Sequence, residues 1–164
     1  KFMVTLLTVV AYLLTKNYME YRVKKMTKMI SDPIFGEMMY RHGWTKKDHL
    51  MLWGQEYIVN TSAEAYTGDE ILDSQRDAFK KNKDNIAQHS DKMILKTTEY
   101  FEFILGIVNI NKEDVIAGLI PRTILFRRDG SWGILFDSKW EEEHGFAIFV
   151  IDDKIEVGDQ DTFL

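Results

Sequence analysis

A central block with helical periodicity, flanked on both sides by short strand patterns, is the feature that most constrains the fold of this chain. Apolar residues recur at helical spacing between residues 67 and 108, whereas turn residues break up the apolar runs on either side. Strands that are grouped beside helices, rather than alternating with them, are typical of the α+β class. We therefore predict an α+β domain with a mostly antiparallel sheet, or a bent sandwich, and two central helices packed on one face.

Local turn and capping signals set the expected bounds of these elements. Thr67-Gly68-Asp69-Glu70 has the pattern of a capping box for the first helix, and Ser90 or Asp91 is the expected cap of the second. Asp129-Gly130 is a strong hairpin signal. The expected strands cover residues 34–40, 49–59, 120–127, 132–136, 146–151 and 154–157, with residues 46–48 in the first turn and residues 60–65 continuing the meander.

Residues 1–28 differ in composition from the rest of the chain and predict a separate segment with an apolar helix. Residues 2–14 are apolar except for two threonines, and the whole segment carries six basic groups against one acid. The apolar run is shorter than the roughly 20 residues of a bilayer span. Three interpretations stay open: a membrane anchor, a helix that packs on the domain or on a second copy, or a non-native extension with Met26 or Met29 as the natural start. Each leaves one α+β domain at residues 29–164.

The charge of residues 29–164 bears on the class of partner. These residues carry 15 basic and 25 acidic groups, a net charge of −10. Binding to duplex nucleic acid requires clustered lysine and arginine, so nucleic acid is not an expected partner. An acidic surface favours a basic protein or a metal ion, or serves solubility alone. The chain has no cysteine, which favours a cytoplasmic location, and membrane contact is expected only through residues 2–14. The oligomeric state is left open.

A run of ionisable and aromatic residues lies between two apolar strand patterns near the C-terminus. The candidate binding residues there are Trp140, Glu141, Glu142, Glu143, His144, Asp159 and Asp161. One imidazole and several carboxylates could hold a divalent metal. In an extended segment, however, Glu143 and His144 point to opposite faces, so a shared ligand would require a turn at this position. The alternative is that both side chains hydrogen-bond backbone groups where the chain enters the next strand.

Glu143 and His144 also have the chemistry of a general acid–base pair. The sequence contains no serine or cysteine nucleophile in a recognisable elbow, no glycine-rich phosphate loop and no His-Glu-x-x-His helix. We therefore expect no catalytic activity and no cofactor, with a hydrolase centred on this corner as an alternative.

The four tryptophans divide into two pairs by their surroundings. Trp53 and Trp132 lie within apolar strand patterns and are expected in the core. Trp44 and Trp140 lie at expected turns, where exposure is favoured. Because exposed aromatic side chains often anchor protein interfaces, Trp44 and Trp140 are candidate interface residues.

Several spaced motifs resemble a family of small bacterial proteins of unknown function. They are residues 32–36 (Asp-Pro-Ile-Phe-Gly), a capped helix around Gln75, the run from Trp140 to Gly145, and the closing Val157-Gly158 with its acidic tail. The family has a Trp-Asp-x-Glu-His-Gly motif, and Glu141 stands where that motif has aspartate. The resemblance covers about residues 29–164 and implies a fold without an agreed activity. Proteins of this type are associated with immunity to toxins, which implies an inhibitor role.

The acidic C-terminal region suggests how such an inhibitor would act. Carboxylates in this region could mimic a nucleic-acid backbone and occupy a basic nuclease-type toxin. The alternative is an acidic sheet edge that discourages pairing with other strands. We therefore predict a non-catalytic protein-binding domain that neutralises a basic toxin. The second hypothesis is a metal- or small-ligand-binding protein centred on Glu143 and His144.

Overall fold

The computed structural model describes residue 16 and residues 28–164. The expected N-terminal apolar helix and almost all of the segment 1–28 lie outside these described residues. Among the helices that the structure describes, none has the length and apolarity needed to cross a membrane.

The described residues form one eight-stranded sheet and three α-helices, which confirms the α+β class. The strands are β1 (Met29–Asp32), β2 (Gly36–Tyr40), β3 (Trp44–Leu52), β4 (Gln55–Ala63), β5 (Leu119–Phe126), β6 (Trp132–Ser138), β7 (Phe146–Ile151) and β8 (Lys154–Asp159). The helices are α1 (Asp73–Asn82), α2 (Ser90–Phe103) and α3 (Lys112–Gly118), with short 3-10 helices at Ile86–His89 and Gln160–Thr162. Of the two predicted architectures, the single sheet is present.

The strands lie in the sheet in the same order as in the chain. Neighbouring strands are antiparallel except β4 and β5, which pair in parallel from Asn60 with Thr123 to Ala63 with Phe126. A parallel pair cannot be joined by a tight hairpin and needs a long crossover connection. All three helices lie in that crossover, which explains why the helical block interrupts the strand patterns.

The helices cover one face of the sheet and form the main core there. The ring of Phe79 on α1 lies 5.4 Å from that of Phe126, and the ring of Phe101 on α2 lies 4.9 Å from that of Phe146. Cross-strand pairing places Phe126 and Phe146 on the same face, because paired residues point to the same side. On the opposite face, Phe163 from the C-terminal 3-10 helix stacks on Phe149 at 4.8 Å. Strands β6 and β7 are therefore buried on both faces.

The first half of the sheet differs from the sequence-based prediction in three places. The strand expected at residues 34–40 starts at Gly36, and an additional strand, β1, precedes it. The turn expected at residues 46–48 is wrong, because β3 runs through it without interruption, and the strand expected at residues 49–59 is divided between β3 and β4 by a turn at Trp53-Gly54. Lys46 and Asp48 are strand residues that point to the helix side, where they pair with each other at 3.3 Å.

The helical block also differs from the prediction. The capping box expected at Thr67 does not start a helix, because α1 begins at Asp73 and Gln75 Oε1 accepts a hydrogen bond from the Leu72 N–H at 2.9 Å. The second helix begins at Ser90, close to the predicted start, but its N-cap is His89, which makes no side-chain capping bond, and not Ser90 or Asp91. The third helix, α3, is missing from the prediction, although Asn111 caps it by accepting from the Asp114 N–H at 2.9 Å.

Candidate functional site

Most of the candidate binding residues meet at one end of the β7–β8 hairpin. Phe146 pairs with Asp159, so the loop that enters β7 lies beside the end of β8. The β6–β7 loop and the C-terminal 3-10 helix therefore share one corner of the sheet. We name this set the acidic corner: Glu141, Glu142, Glu143, His144, Asp159 and Asp161.

His144 and Asp161 form an ion pair in this corner, with 2.8 Å between His144 Nδ1 and Asp161 Oδ2. The hydrogen bond and the charge of Asp161, helped by Glu143 and Asp159, raise the pKa of His144 above its usual 6.5. The pair is fully formed below the pKa of the unfolded imidazole, and it is lost as the pH rises through the higher pKa of the folded state. Both side chains are largely exposed, so the pair contributes little to folding.

The β6–β7 loop reverses direction at Gly145. A turn at this position is what Glu143 and His144 would require in order to share a ligand. Gly145 has φ of +64°, and its N–H donates to the Glu141 carbonyl at 2.8 Å. A Cβ at this position would overlap the Gln160 amide, which itself donates to the Phe136 carbonyl at 2.9 Å. Backbone conformation and close packing both require glycine here.

Asp159 and Tyr100 connect the acidic corner to the folded core. Asp159 caps the C-terminal 3-10 helix by accepting from the Thr162 N–H at 2.9 Å. Tyr100 lies on α2 nearby. Burial raises the pKa of Tyr100, the charges of Asp159 and Glu141 raise it further, and the Asp159 N–H opposes this rise. The sequence analysis missed Tyr100; the only signal was its position beside Phe101 in the apolar stripe of α2.

Trp140 anchors the β6–β7 loop to the helices and is half-buried. Its ring lies 4.5 Å from that of Phe101 and packs against Gly118 at the end of α3. The neighbouring Lys139 N–H donates to the Gly118 carbonyl at 3.0 Å, and the Lys139 ammonium lies 4.3 Å from the indole centroid. The sequence analysis treated Trp140 as a candidate interface anchor, but its contacts position the loop.

Replacing Gly118 with alanine tests this anchor. A Cβ at residue 118 would overlap the Trp140 ring, so we expect the indole to shift and the free energy of unfolding to fall by about 2 kcal/mol. Chemical denaturation measures the loss, and tryptophan fluorescence reports the displaced ring. Gly158→Ala is the matched control, since a Cβ there meets nothing closer than 3.5 Å. Equal losses of unfolding free energy in the two variants would contradict the role of the Trp140–Gly118 contact as an anchor of the loop.

The expected exposure of Trp44 is wrong. Trp44 is 1% exposed, and its indole N–H donates to the Asp69 carbonyl at 2.9 Å. It is the first residue of β3 rather than part of a turn, and it faces the helix side. Trp132 is 2% exposed and confirms its expected place in the core, whereas Trp53 is half-buried and stacks on Phe136.

The acidic residues of the C-terminal region do not all converge. Asp152 and Asp153 form the β7–β8 turn, at the other end of β8 from Asp159. A six-residue strand separates the two ends by about 20 Å. Asp153 also pairs with Lys81 at 2.9 Å. Of these two acidic groups in the C-terminal region, the acidic corner therefore contains the larger number of carboxylates.

The acidic corner offers no ready metal site. In residue 16 and residues 28–164, no group of three or more histidine and acidic side chains is arranged to hold a metal ion. Asp159 is engaged as a helix cap and Asp161 is paired with His144. The arrangement can present negative charge and exchange a proton at His144, and its described side chains provide no ligand set for a metal ion.

Comparison with known proteins places the chain in a family. No curated protein and no solved structure matches it significantly. A family model described as a domain of unknown function, DUF6985, matches residues 34–164. This span includes the helical block and the whole acidic corner, and it confirms the expectation of a family of unknown function. The match covers well over half of the sequence, and the chain therefore belongs to the DUF6985 family.

Proposed function

We propose that this domain binds a basic protein through the acidic corner and does so without catalysing a reaction. The observation that carries the proposal is the convergence of carboxylates from two separate segments. Glu141, Glu142 and Glu143 come from the β6–β7 loop, whereas Asp159 is the last residue of β8 and Asp161 lies in the 3-10 helix that follows. Glu142, Glu143 and Asp161 are exposed.

The geometry of the corner supports binding because the carboxylates are held in place before a partner arrives. Trp140 fixes the start of the loop, Gly145 and Gln160 fix its end, and Asp159 fixes the following 3-10 helix. A binding surface that is already ordered loses less conformational entropy on association. Clustered charge of one sign also accelerates the encounter with a partner of the opposite sign.

The partner that fits best is a protein with an active surface rich in lysine and arginine. A toxin that acts on nucleic acid has such a surface, since it must neutralise phosphates. Carboxylates on a rigid corner would occupy the same cations. We therefore propose an inhibitory role against a basic toxin, in which binding alone neutralises the partner.

Charge reversal at residues 141–143 tests the proposal. After capture of a candidate partner with the full chain, we expect Glu141→Lys/Glu142→Lys/Glu143→Lys to lower the association rate constant at least about tenfold at low salt. The unmodified chain should show a steep decrease of this rate with salt. Stopped-flow or surface-based kinetics with the purified partner measures both effects.

A matched control separates the acidic corner from net charge. Glu37, Glu70 and Asp84 are exposed and lie outside the corner, so reversing all three changes the net charge equally. We expect this control to alter the association rate less than about threefold, because its charges lie far from the contact. A partner whose binding is insensitive to salt and to both triple variants would exclude the acidic corner as the binding surface.

A further inference from the structure

We propose that a cavity between the β3–β4 turn and α3 binds an uncharged, mainly apolar molecule that carries a hydrogen-bond acceptor such as a carbonyl oxygen. The cavity has a volume of about 450 Å³, which is in the range of small-ligand sites. It is lined by Trp53 and Tyr57 of the β3–β4 hairpin, by Ile116 of α3, and by Leu119 and Ile120 of β5. We name it the Trp53 cavity. Its lining includes no residue of the acidic corner, so the site goes beyond the function proposed above.

The indole N–H of Trp53 lacks the hydrogen bond that a buried donor normally makes. Among the described residues, only two buried side-chain polar atoms have no partner, Trp53 Nε1 and Thr97 Oγ1, and Thr97 does not line the cavity. A buried donor without an acceptor is costly to the folded state. The neighbouring Tyr57 is already satisfied, since its hydroxyl donates to Gln55 Oε1 at 2.9 Å. The lining therefore includes a donor that needs an acceptor, which a ligand can supply.

The backbone of Trp53 is also held in a conformation that an aromatic residue rarely adopts. Trp53 and Gly54 form the two-residue turn between β3 and β4, with φ of +53° and +78°. Asparagine, aspartate and glycine are the usual residues in such a turn, because a bulky side chain is strained at positive φ. The ring nevertheless stays on the core, where it stacks on Phe136 with 5.6 Å between the ring centroids. Strained backbone is concentrated at functional sites, so two independent observations converge on Trp53.

The lining of the Trp53 cavity selects the class of ligand. Its apolar walls favour an apolar ligand, and the large apolar side chain of Ile120 is 46% exposed there, so a ligand that covers it removes apolar surface from water. Glu113 is the only charged side chain that the described part of the chain contributes to the lining, and its carboxylate repels an anion. The Trp53 N–H requires an acceptor, which a hydrocarbon lacks. Because Nε1 is buried in the unliganded protein, the indole turns toward the cavity when the ligand binds.

Three naphthalene probes titrated into the full chain test the site: 2-acetylnaphthalene, 2-ethylnaphthalene and 2-naphthoate. The ketone and the hydrocarbon are similar in size, and only the ketone accepts a hydrogen bond. We expect 2-acetylnaphthalene to bind at least about fivefold more tightly than 2-ethylnaphthalene, because it satisfies the unpaired donor. We expect 2-naphthoate to bind more weakly than the ketone, because Glu113 repels its charge.

Two-dimensional ¹H–¹⁵N NMR measures these affinities and also locates the site. Each of the four tryptophans has one indole N–H, and the signal of Trp53 is identified by its loss in Trp53→Phe. We expect the ketone to move this signal downfield, as formation of a hydrogen bond requires, and the hydrocarbon to move it less. A shift of the Trp44 or Trp132 indole signal without a shift at Trp53 would overturn the proposal.

Two variants separate the donor from the space around it. Trp53→Phe keeps an aromatic ring, and we expect the preference for the ketone over the hydrocarbon to fall to within about twofold. Ala117 lies exposed on α3 in the lining, so Ala117→Phe fills the cavity, and we expect the dissociation constant of the ketone to rise at least about tenfold.

Ala87→Phe is the matched control for the filled cavity, because Ala87 is exposed and lies outside the lining. We expect it to leave the dissociation constant of the ketone within about twofold. Circular dichroism spectra like that of the unmodified chain guard against misfolding of any variant. Equal affinity of the unmodified chain for ketone and hydrocarbon, no binding of either at its solubility limit, or equal losses in Ala117→Phe and Ala87→Phe would overturn the proposal.

Discussion

Replacing Gln75 with leucine is expected to lower the free energy of unfolding by about 3 kcal/mol, although the two side chains are similar in size. Gln75 is fully buried on α1. Its Nε2 donates to the carbonyls of Glu64 and Phe126, both at 2.9 Å, and its Oε1 accepts from the Leu72 N–H at 2.9 Å. Leucine can replace none of these bonds.

The backbone partners of Gln75 explain why the cost is large. Glu64 follows β4 and Phe126 ends β5, so the amide ties α1 to the carboxyl ends of the parallel strand pair. The Phe126 carbonyl keeps a second bond from the Glu64 N–H at 2.9 Å. The Glu64 carbonyl and the Leu72 N–H lose their side-chain partner, and a polar group that is buried without one costs about 1–3 kcal/mol.

Urea denaturation of residues 1–164 measures this loss. Gln88→Leu is the matched control, because Gln88 is exposed and bonds only the nearby Asn85 side chain. We expect the control to change the free energy of unfolding by less than about 0.5 kcal/mol. A loss at Gln75 no larger than that at Gln88 would show that the helix-to-sheet amide bonds are dispensable.

Gln75 also illustrates what the sequence could and could not reveal. Helical spacing placed it correctly on the buried stripe of α1, because periodicity is a local signal. Its bonds to Glu64 and Phe126 depend on the parallel pairing of β4 with β5, which are separated by the whole helical block. Nothing local to either strand specifies that pairing. The prediction therefore identified the helix but missed the hydrogen bonds by which Gln75 joins α1 to the ends of β4 and β5.

Elements with strong local signals were predicted well. Residues 146–151 match β7, and the Asp129-Gly130 turn lies between β5 and β6 as expected. The failures occurred where polar residues belong to strands. Lys46-Lys47-Asp48 has the composition of a turn, yet the pairing of Lys46 with Asp48 allows both to lie on the helix side of β3. Side-chain partners of this kind cannot be read from hydropathy.

The acidic corner was predicted in its members and not in its contacts. His144 and Asp161 were both candidates, but their 2.8 Å pair follows from the register of the β7–β8 hairpin. Asp152 and Asp153 are equally acidic and lie at the far end of that hairpin. Composition alone could not show that the acidic corner and the Asp152-Asp153 turn are separate groups. They are separate because they lie at opposite ends of β8.

Replacing Asp32 with alanine is expected to lower the free energy of unfolding by about 3 kcal/mol at neutral pH. The side chain is 1% exposed. Its Oδ1 accepts from the N–H groups of Ile34 and Phe35, both at 2.9 Å, and its Oδ2 lies 2.9 Å from Arg76 Nε. Alanine would leave the two amides of the β1–β2 turn without their acceptor and the Arg76 guanidinium without its buried partner.

Asp73→Ala is the matched control, because Asp73 also pairs with Arg76, at 2.8 Å, but its side chain is 92% exposed. We expect this control to cost about 0.5 kcal/mol, since an exposed ion pair contributes little. Denaturation of both variants at pH 7 measures the difference. Similar losses would show that Arg76, rather than the buried carboxylate, determines the stability of this contact.

The pH dependence gives a separate test of the same carboxylate. Burial raises the pKa of Asp32, but the Phe35 and Ile34 amides and Arg76 outweigh it, so the net pKa lies below its usual 3.8. A carboxyl pKa that is lower in the folded state than in the unfolded state stabilises the protein at pH values above the unfolded-state pKa. This stabilisation is lost as the pH falls through the folded-state pKa. The stability gap between the unmodified chain and Asp32→Ala should therefore be constant above about pH 5 and narrow below about pH 4. A gap that widens on acidification would mean that the folded protein binds the proton more tightly than the unfolded chain, and the Asp32 carboxylate would then not be held in its charged form by these contacts.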